Sequence, residues 1–401
     1  MNNEEKLIKM LKYVSEHNDF YKNRIKEYGI TNPLDITQWP ILTRKELQNN
    51  RHNIFSDGYR TKYLCHQLLS TSSSGTSGTP IVVYWSHRDY YNSMLSLWRR
   101  RKAWHGILPT DKSIMFTLSY TNKTIRIGEV LCLETSNRLM FNAASLTSEN
   151  AYKVVIKYIL DFQPKWIYIQ PFILEQLIYY YKKIGAKSPS SLMHIESVGE
   201  VLNDELRKEA KDFFGVDIVN LYGAEEHGGI AYECTYGTMH VLDENVYVES
   251  DALITNINNH AFPLIRYAQG DVISLVEKKL SCACGVNSSC ISSIKGRVRN
   301  SFCFSGVEVN EYLLSEIIGI VNNQFDGIIS MYSFEYSNKT NVLQCKISVS
   351  AKNSEWNLIV SEEVKRCLRT RIPLGENLII KVVDGCCDLR TGKDKILSII
   401  G

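Results

Sequence analysis

The stretch from Ser70 to Pro80 contains residue types that could bind phosphate. Eight of its eleven residues are serine or threonine, two are glycine, and a β-branched run at 81–84 follows directly. Hydroxyl groups donate hydrogen bonds to phosphate oxygens, and glycines let backbone N–H groups approach an anion closely. The same composition is also typical of a flexible linker. The stretch matches neither the phosphate loop that requires Gly-Lys-Ser/Thr nor the dinucleotide fingerprint G-x-G-x-x-G.

Acidic residues further along could hold a metal ion or a ribose. A run at 217–224 that is typical of a strand ends in Glu225 and Glu226. Carboxylates at the end of a strand could bind Mg²⁺, which would bridge phosphate oxygens, although adjacent glutamates are more often surface charges. Asp271 follows Gly270 and offers two acceptor oxygens for ribose hydroxyls, with an exposed Gly-Asp turn as the alternative.

Cysteine and histidine residues form a candidate metal site. Cys234 and His240 are separated by five residues, and Cys282 and Cys284 follow in a Cys-x-Cys-Gly sequence before a polar loop. Three thiolates and an imidazole suit a closed tetrahedral Zn²⁺ site with a structural role, and Cys290 could substitute for one of them. Free buried thiols are the alternative, because cysteine often serves as a small hydrophobic residue.

The elements that must position these residues alternate between helices and strands. Periodicity and caps predict helices over 87–104, 149–162, 174–184 and 203–215, and strands over 113–118, 165–170 and 217–224. Alternation at this spacing predicts parallel crossover units. We therefore expect an α/β architecture, in which ligands bind beyond the carboxyl ends of the strands.

The composition changes to a compact α+β pattern from Ser301 onward. We predict a helix over 310–322, a hairpin turn at 337–340, a helix over 354–371 and a strand over 377–383. A segment of this length is just large enough for an independent domain. We expect a large domain over 1–299 and a small domain over 300–401.

The composition also narrows the classes of function. The chain has 46 Lys and Arg against 43 Asp and Glu, a net charge of +3, which does not indicate a nucleic-acid partner. No window approaches 18 consecutive apolar residues, so no membrane span is expected, and the polar N-terminal residues lack the apolar core of a signal peptide. We expect a cytoplasmic protein whose eleven cysteines are thiols or metal ligands.

Five segments resemble motifs of one family in the family's order. They are Ser-Ser-Gly-Thr-Ser-Gly-Thr-Pro at 73–80, Tyr-Gly-Ala-Glu-Glu at 222–226, Tyr-Ala-Gln-Gly-Asp at 267–271, Gly-Arg-Val-Arg-Asn at 296–300 and Arg-Thr-Gly-Lys at 390–393. The set resembles the adenylate-forming superfamily of acyl-CoA ligases, peptide-synthetase adenylation domains and luciferases, and within it the phenylacetate–CoA ligase and capsular-polysaccharide-type branch. The resemblance implies a large N-terminal α/β domain of the adenylate-forming type, a small mobile α+β C-terminal domain, and a site in the cleft between them.

The resemblance also implies a reaction in two steps and assigns residues to it. A carboxylate attacks the α-phosphorus of Mg·ATP to give acyl-AMP and pyrophosphate, and a second nucleophile then takes the acyl group. Lys393, Glu226 and Arg297 match the catalytic residues, with Lys395 as the fallback for Lys393. Glu226 also matches the Mg²⁺ ligand, and Asn300 matches the hinge. The positions that match the ATP or AMP site are Ser73, Ser74, Gly75, Thr76, Ser77, Gly78, Gly199, Glu200, Tyr222, Gly223, Ala224, Asp271 and Arg297.

Three residues depart from the family's pattern. Thr79 stands where Lys is usual, Glu225 where Thr or Ser is usual, and Asn300 where Asp is usual. The first two exchanges make the pocket less favourable to a triphosphate, because they remove a cation and add an anion. A degenerate, non-catalytic nucleotide-binding member is therefore an alternative, and a zinc-organised interaction module is a second one.

Aromatic residues indicate a class of substrate. Tyr168, Phe172 and His227 could line an aromatic pocket, so we expect an aryl or arylacetic acid. The resemblance implies CoA as the acyl acceptor, with a carrier-protein thiol, an amine or a sugar hydroxyl as alternatives. It also implies a structural zinc at the Cys234, His240, Cys282 and Cys284 set. ATP, Mg²⁺, structural Zn²⁺ and CoA are then the expected cofactors and co-substrates, and a homodimer is an open alternative.

Overall fold

The computed structural model describes residues 2–72, 81–117, 125–128, 130–146, 148–276, 282–297, 301–325, 328–349, 354–383 and 397–400. The helices in these residues are α1 Asn3–His17, α2 Asp19–Glu27, α3 Arg44–Asn49, α4 Tyr59–Leu64, α5 His87–His105, α6 Glu149–Phe162, α7 Pro171–Lys183, α8 Asp204–Phe214, α9 Glu311–Gln324 and α10 Ser354–Arg371, with short 3₁₀ turns at Ile36–Gln38 and Ala143–Ser145.

The strands in the described residues fall into three groups along the chain. The first group is β1 Leu69–Ser72, β2 Val82–Trp85, β3 Ser113–Thr117, β4 Ile125–Ile127, β5 Val130–Thr135, β6 Arg138–Asn142, β7 Trp166–Ile169 and β8 His194–Val198. The second is β9 Ile218–Ala224, β10 Gly228–Glu233, β11 Met239–Val241, β12 Val246–Val248, β13 Leu253–Asn256, β14 Tyr267–Ala268, β15 Asp271–Val276 and β16 Cys290–Arg297. The third is β17 Ser301–Phe304, β18 Val307–Asn310, β19 Ile329–Ser337, β20 Val342–Val349, β21 Leu378–Val382 and β22 Leu397–Ile400.

Two compact units make up the chain. The first comprises residues 1–109 and 219–295, and the second comprises 110–218 and 296–401. These two units do not coincide with the large domain over 1–299 and the small domain over 300–401 that the sequence predicts. The predicted domain boundary at 299/300 lies outside the described residues and stays a prediction.

Strands of the first unit lie in the order β15-β16-β11-β10-β9, with separate sheets β1-β2 and β12-β13-β14. The β9–β10 and β10–β11 pairs are antiparallel. The inward side chains of β9 to β13, β15 and β16 form one apolar core, which includes Ile230, Val241, Ile254, Ile273 and Ile291. The N-terminal helices pack around a second core that contains Trp39. This unit holds the candidate nucleotide and metal residues described below.

Parallel pairing in the second unit confirms the α/β prediction. β6, β3, β7 and β8 are parallel neighbours, and helices α6 to α8 connect or follow them. The helix predicted from Leu174 instead begins at Pro171, because proline suits the first position of a helix, where its missing N–H has no partner to lose. The other helices and strands begin and end within a few residues of the predicted positions.

Residues 301–400 of the second unit have a sheet and a core of their own. β19 and β20 form an antiparallel pair, and β22 and β21 flank it in the order β21-β20-β19-β22. Helices α9 and α10 pack with these strands around residues such as Leu314, Phe334, Leu343 and Leu368. The predicted helix over 354–371 and the hairpin at 337–340 are both present.

None of the described helices has a stretch that is both long and apolar enough to cross a membrane.

Candidate active site and metal centre

The turn between β9 and β10 places Glu226. Strand β9 carries Tyr222, Gly223 and Ala224, and it pairs with β10 through Gly228 opposite Ala224. A Cβ atom at Gly223 would lie 2.7 Å from the backbone oxygen of Gly228, so the close approach of the two strands requires glycine there. The β9–β10 pair thus needs the glycine of the Tyr-Gly-Ala sequence that precedes the two glutamates.

The carboxylate of Glu226 is buried and lies beside a guanidinium. Its Oε1 is 3.9 Å from Nη1 of Arg44, and the Glu226 side chain is 3% exposed. A buried carboxylate is costly unless cations or hydrogen-bond donors surround it. Carboxylate oxygens are ligands that Mg²⁺ prefers, so Glu226 fits the metal-binding role that the motif predicts.

Arg44 is a site residue that sequence reasoning missed. It is the first residue of α3, whose N-terminus is fixed by a capping box between Thr43 and Glu46. Just before it, Leu42 pairs with the β14 strand through hydrogen bonds to Arg266 and Ala268 of 3.0 Å each. A capping box of this kind marks the start of a helix, but no sequence signal indicates that this helix end lies beside Glu226.

The hydroxyl-rich stretch begins next to the same turn. The Thr71 hydroxyl, in β1, donates a hydrogen bond of 2.6 Å to the backbone oxygen of Glu225. Strand β1 pairs with β2 in antiparallel register, with Ser72 opposite Val82, so the segment that joins them starts and ends in this hairpin. The predicted loop residues Ser73, Ser74, Gly75, Thr76, Ser77, Gly78 and Thr79 lie outside the described residues.

A hydrogen-bond network joins Tyr222 to Asp271. The Tyr222 hydroxyl donates to Oδ2 of Asp271 at 2.8 Å, and Nε2 of Gln269 donates to both the Tyr222 hydroxyl and the same Oδ2, at 2.5 and 2.7 Å. Gln269 is 5% exposed. Tyr222 and Asp271, which were predicted from two different motifs, are therefore in contact. Gln269 donates hydrogen bonds to both, although its motif did not single it out.

In the second unit, the predicted residues follow two parallel strands. Tyr168 lies in β7, and Gly199 and Glu200 come directly after β8. Oε2 of Glu200 accepts a hydrogen bond of 3.1 Å from the backbone N–H of Phe172, in the first turn of α7. Gly199 has a φ of +83°, which favours glycine. The structure brings Phe172 and Glu200 together at the carboxyl ends of β7 and β8.

His227 differs from the other predicted pocket residues in its burial. It is 0% exposed, and among the described residues neither ring nitrogen has a hydrogen-bond partner. Burial lowers the pKa of His227 to about 3, so the imidazole is neutral at physiological pH. The ring has no exposed surface, and its predicted contact with a substrate stays a prediction.

Several other predicted residues cannot be placed. Asn300, Lys393 and Lys395 lie outside the described residues. Arg297 is the last residue of β16, but its side chain is also outside them. Their predicted roles as hinge, catalytic lysine and catalytic arginine stay predictions.

Four side chains in the first unit form a metal-binding geometry. The ligand atoms of Cys234, His240, Cys282 and Cys284 all lie within 4.8 Å of one another. Sγ of Cys234 is 3.7 Å from Sγ of Cys282, and Sγ of Cys284 is 3.2 Å from Nε2 of His240. A tetrahedral Zn²⁺ at ordinary bond lengths requires separations of about 3.8 Å between sulfurs and about 3.6 Å between sulfur and nitrogen. The set therefore fits Zn²⁺.

The surroundings of this set favour metal binding by the predicted residues and not by Cys290. Nδ1 of His240 lies 3.0 Å from the Ser288 hydroxyl, a contact that would orient Nε2 toward a metal. Cys290 lies 3.6 Å from the same Nδ1, on the side of the ring away from Cys284. Hydrogen bonds from the backbone of Cys284 and from Thr238 lower the pKa of Cys282, whereas burial raises the pKa of Cys284.

The chain is similar in sequence to one protein family and to several named proteins. Residues 71–252 match the family described as AMP-binding enzyme. The chain is 23% identical over 391 residues to the phenylacetate-coenzyme A ligase of Escherichia coli (strain K12), which covers 90% of this chain and 85% of that protein. It is 22% identical over 333 residues to Protein CapK of Staphylococcus aureus, which covers 78% and 68%.

Among solved structures, the chain resembles 2-hydroxyisobutyryl-CoA ligase in the postadenylation state in complex with R3-HIB-AMP. The TM-score is 0.77 at 13% identity, and the match covers 99% of this chain and 88% of that one. The chain thus has the mixed α/β fold of adenylate-forming acyl-CoA ligases, with a large N-terminal and a smaller C-terminal domain. These matches confirm the predicted fold class, and the family match and the named relatives confirm the predicted resemblance to the adenylate-forming superfamily.

Proposed function

We propose that this protein is an AMP-forming carboxylate ligase. It would use ATP to convert a carboxylic acid into an acyl-AMP with release of pyrophosphate, and then transfer the acyl group to the thiol of CoA. The observation that carries the proposal is the hydrogen-bond network of Tyr222, Gln269 and Asp271. Tyr222 and Asp271 belong to two separate motifs, and both motifs were assigned from the sequence to one nucleotide site. The names of the relatives support the same chemistry.

The ribose and the phosphates of the nucleotide would contact different residues of the first unit. Asp271 would accept ribose hydroxyls, with Tyr222 and Gln269 holding its carboxylate in place. Glu226 would hold Mg²⁺, which neutralises phosphate charge when bound. Arg44 lies 3.9 Å from Glu226 and would contribute the positive charge that Thr79 does not supply. Catalysis would then consist of positioning and charge neutralisation, without a covalent enzyme intermediate.

Both halves of the reaction would depend on the C-terminal residues. In this proposal Lys393 neutralises charge as the acyl group is transferred to AMP, and Arg297 contacts the ribose or a phosphate. The small domain would turn about Asn300 before the acyl group leaves AMP for CoA. A compact ammonium group suits a phosphate that gains negative charge.

For the acid, we propose an aryl or arylacetic substrate. Tyr168 lies in β7 and Phe172 follows the carboxyl end of the same strand, where α/β proteins bind ligands, and the E. coli relative is named for phenylacetate. A carrier-protein thiol, an amine or a sugar hydroxyl stays the alternative acceptor. ATP and CoA as substrates, together with the free thiols of the described cysteines, support a cytoplasmic location.

A structural Zn²⁺ completes the proposal. Cys234, His240, Cys282 and Cys284 would be its ligands, and four protein ligands leave no position for a reacting water. The metal would therefore stabilise the fold and would not take part in the acyl transfer.

Product analysis tests the proposed reaction. Purified protein is incubated with ATP, Mg²⁺, CoA and one acid at a time, and products are separated by chromatography with mass detection. We expect AMP, pyrophosphate and one acyl-CoA in equal amounts, with arylacetic acids preferred over short aliphatic acids. The departures at Thr79 and Glu225 favour the second candidate, a non-catalytic nucleotide-binding protein, and binding of AMP without any of these products would support it.

A further inference from the structure

Two of the candidate nucleotide residues, Glu226 and Asp271, lie at or next to the strand ends that are away from the candidate metal ligands. Strand β10 begins at Gly228, next to the turn that carries Glu226, and ends at Glu233, next to Cys234. Its six residues span about 17 Å. Because β9 runs antiparallel to β10, Ala224 lies opposite Gly228, at the end away from Cys234, and Tyr222 lies opposite Ala231 in the interior of the pair.

Strand β15 likewise runs from a candidate nucleotide residue toward the candidate metal ligands. Asp271 is its first residue, and Cys282 and Cys284 lie in the segment that joins β15 to β16. Strand β16 begins at Cys290, directly opposite His240 of β11. Ser274 of β15 contacts Ser292 and Ser293 of β16. These contacts hold the two strands together between the metal ligands and Asp271.

The sheet must curl for Asp271 to reach Tyr222. The strand order is β15-β16-β11-β10-β9, so four strand spacings separate β15 from β9, or about 19 Å in a flat sheet. The Tyr222 hydroxyl is nevertheless 2.8 Å from Asp271. The contact therefore depends on both the curvature of the sheet and the register of β15, since a shift by one residue would turn Asp271 to the opposite face.

We propose that the Cys234–His240–Cys282–Cys284 set is the device that positions Asp271. A metal ion bound there ties the β10–β11 turn, β11 and the β15–β16 connection to one point, and so fixes the curvature and register at the far end of these strands. This inference rests on the proposed nucleotide-binding function. It extends that function, because it makes metal binding and nucleotide binding thermodynamically coupled over the length of the sheet.

The coupling must be reciprocal. If the metal raises the affinity for AMP by a given factor, AMP raises the affinity for the metal by the same factor. Coupling between sites in one protein is commonly about 5- to 150-fold. A metal with a purely local stabilising role would show no such link once the protein is folded.

Metal release from the zinc-loaded protein measures this coupling directly. The protein is first shown to bind AMP by isothermal titration calorimetry, and zinc release to a chromogenic chelator is then timed with and without saturating AMP. We expect AMP to slow release at least fivefold and to protect the amides of β15 from hydrogen exchange. The Cys65→Ser variant, which changes an exposed cysteine outside the set, should behave like the wild type in both respects.

A second variant weakens the metal site without changing any of the four candidate ligands. Ser288→Ala removes the contact to Nδ1 of His240 and should weaken metal binding about 10- to 100-fold, with an AMP affinity that falls only when zinc has been lost. Equal release rates with and without AMP, in protein that binds AMP, would overturn the inference and leave the proposed function standing. Protein that holds no zinc, or that does not bind AMP, would also overturn it, and the second result would refute the proposed function as well.

Discussion

Replacing Gln269 by leucine tests the proposed nucleotide site at a residue that the sequence motifs did not single out. The side chain is 5% exposed, and its amide donates to Oδ2 of Asp271 at 2.7 Å and to the Tyr222 hydroxyl at 2.5 Å. A hydrogen bond to a charged group contributes about 1.5–3 kcal/mol. If that energy positions Asp271 for ribose, Gln269→Leu should weaken AMP binding by about 10- to 150-fold, since each 1.4 kcal/mol is about a factor of ten.

Calorimetric titration with AMP measures this change, and steady-state kinetics should show a higher KM for ATP with a smaller change in kcat. Gln176→Leu is the matched control, because Gln176 is a comparably buried glutamine in α7 of the second unit. It should lower stability without changing the affinity for AMP. An AMP affinity within threefold of wild type in a folded Gln269→Leu protein would refute the assignment of this network to the ribose.

Three further predictions concern other parts of the site. Arg44→Ala should raise the KM for ATP about tenfold, because it removes the guanidinium beside Glu226, and Arg44→Lys should restore most of the loss. His227 has a pKa lowered from 6.5 to about 3 by burial; only the unfolded state gains its proton between these values, so the free energy of unfolding should fall as pH decreases from about 6.5 to 3. Urea titrations should show a shallower fall for His227→Phe, and equal slopes would contradict the burial argument. Lys393→Ala should abolish acyl-AMP formation with folding and zinc content unchanged; loss of activity in Lys395→Ala instead would shift the C-terminal alignment by two residues.

The sequence predicted contacts best where motifs constrain both partners. Tyr222 and Asp271 were assigned to one nucleotide site from separate motifs, and the structure joins them at 2.8 Å. The four metal ligands were likewise predicted from spacing and resemblance, and their ligand atoms lie together. Residue type and chain order suffice in such cases, because a ribose or a zinc site tolerates few alternatives.

Residues that act through their neighbours could not be found in this way. Arg44 reaches Glu226 only because Leu42 pairs with β14, a contact between segments more than two hundred positions apart in the sequence. Gln269 contacts both Tyr222 and Asp271 because the sheet is curved, and the curvature of a sheet leaves no periodic pattern in the sequence. The position of Cys290 behind His240 follows from the register of β11 with β16, which pairing alone decides.

Exchange of label between pyrophosphate and ATP tests the central claim most directly. The purified protein is incubated with ATP, labelled pyrophosphate, Mg²⁺ and a panel of aryl, arylacetic, aliphatic and amino acids, without CoA. Our account predicts exchange that depends on one class of acid, with arylacetic acids the most active, and that disappears in Lys393→Ala. Zinc-loaded, folded protein that binds AMP but catalyses no exchange with any acid would contradict the account and indicate a nucleotide-binding protein without ligase activity.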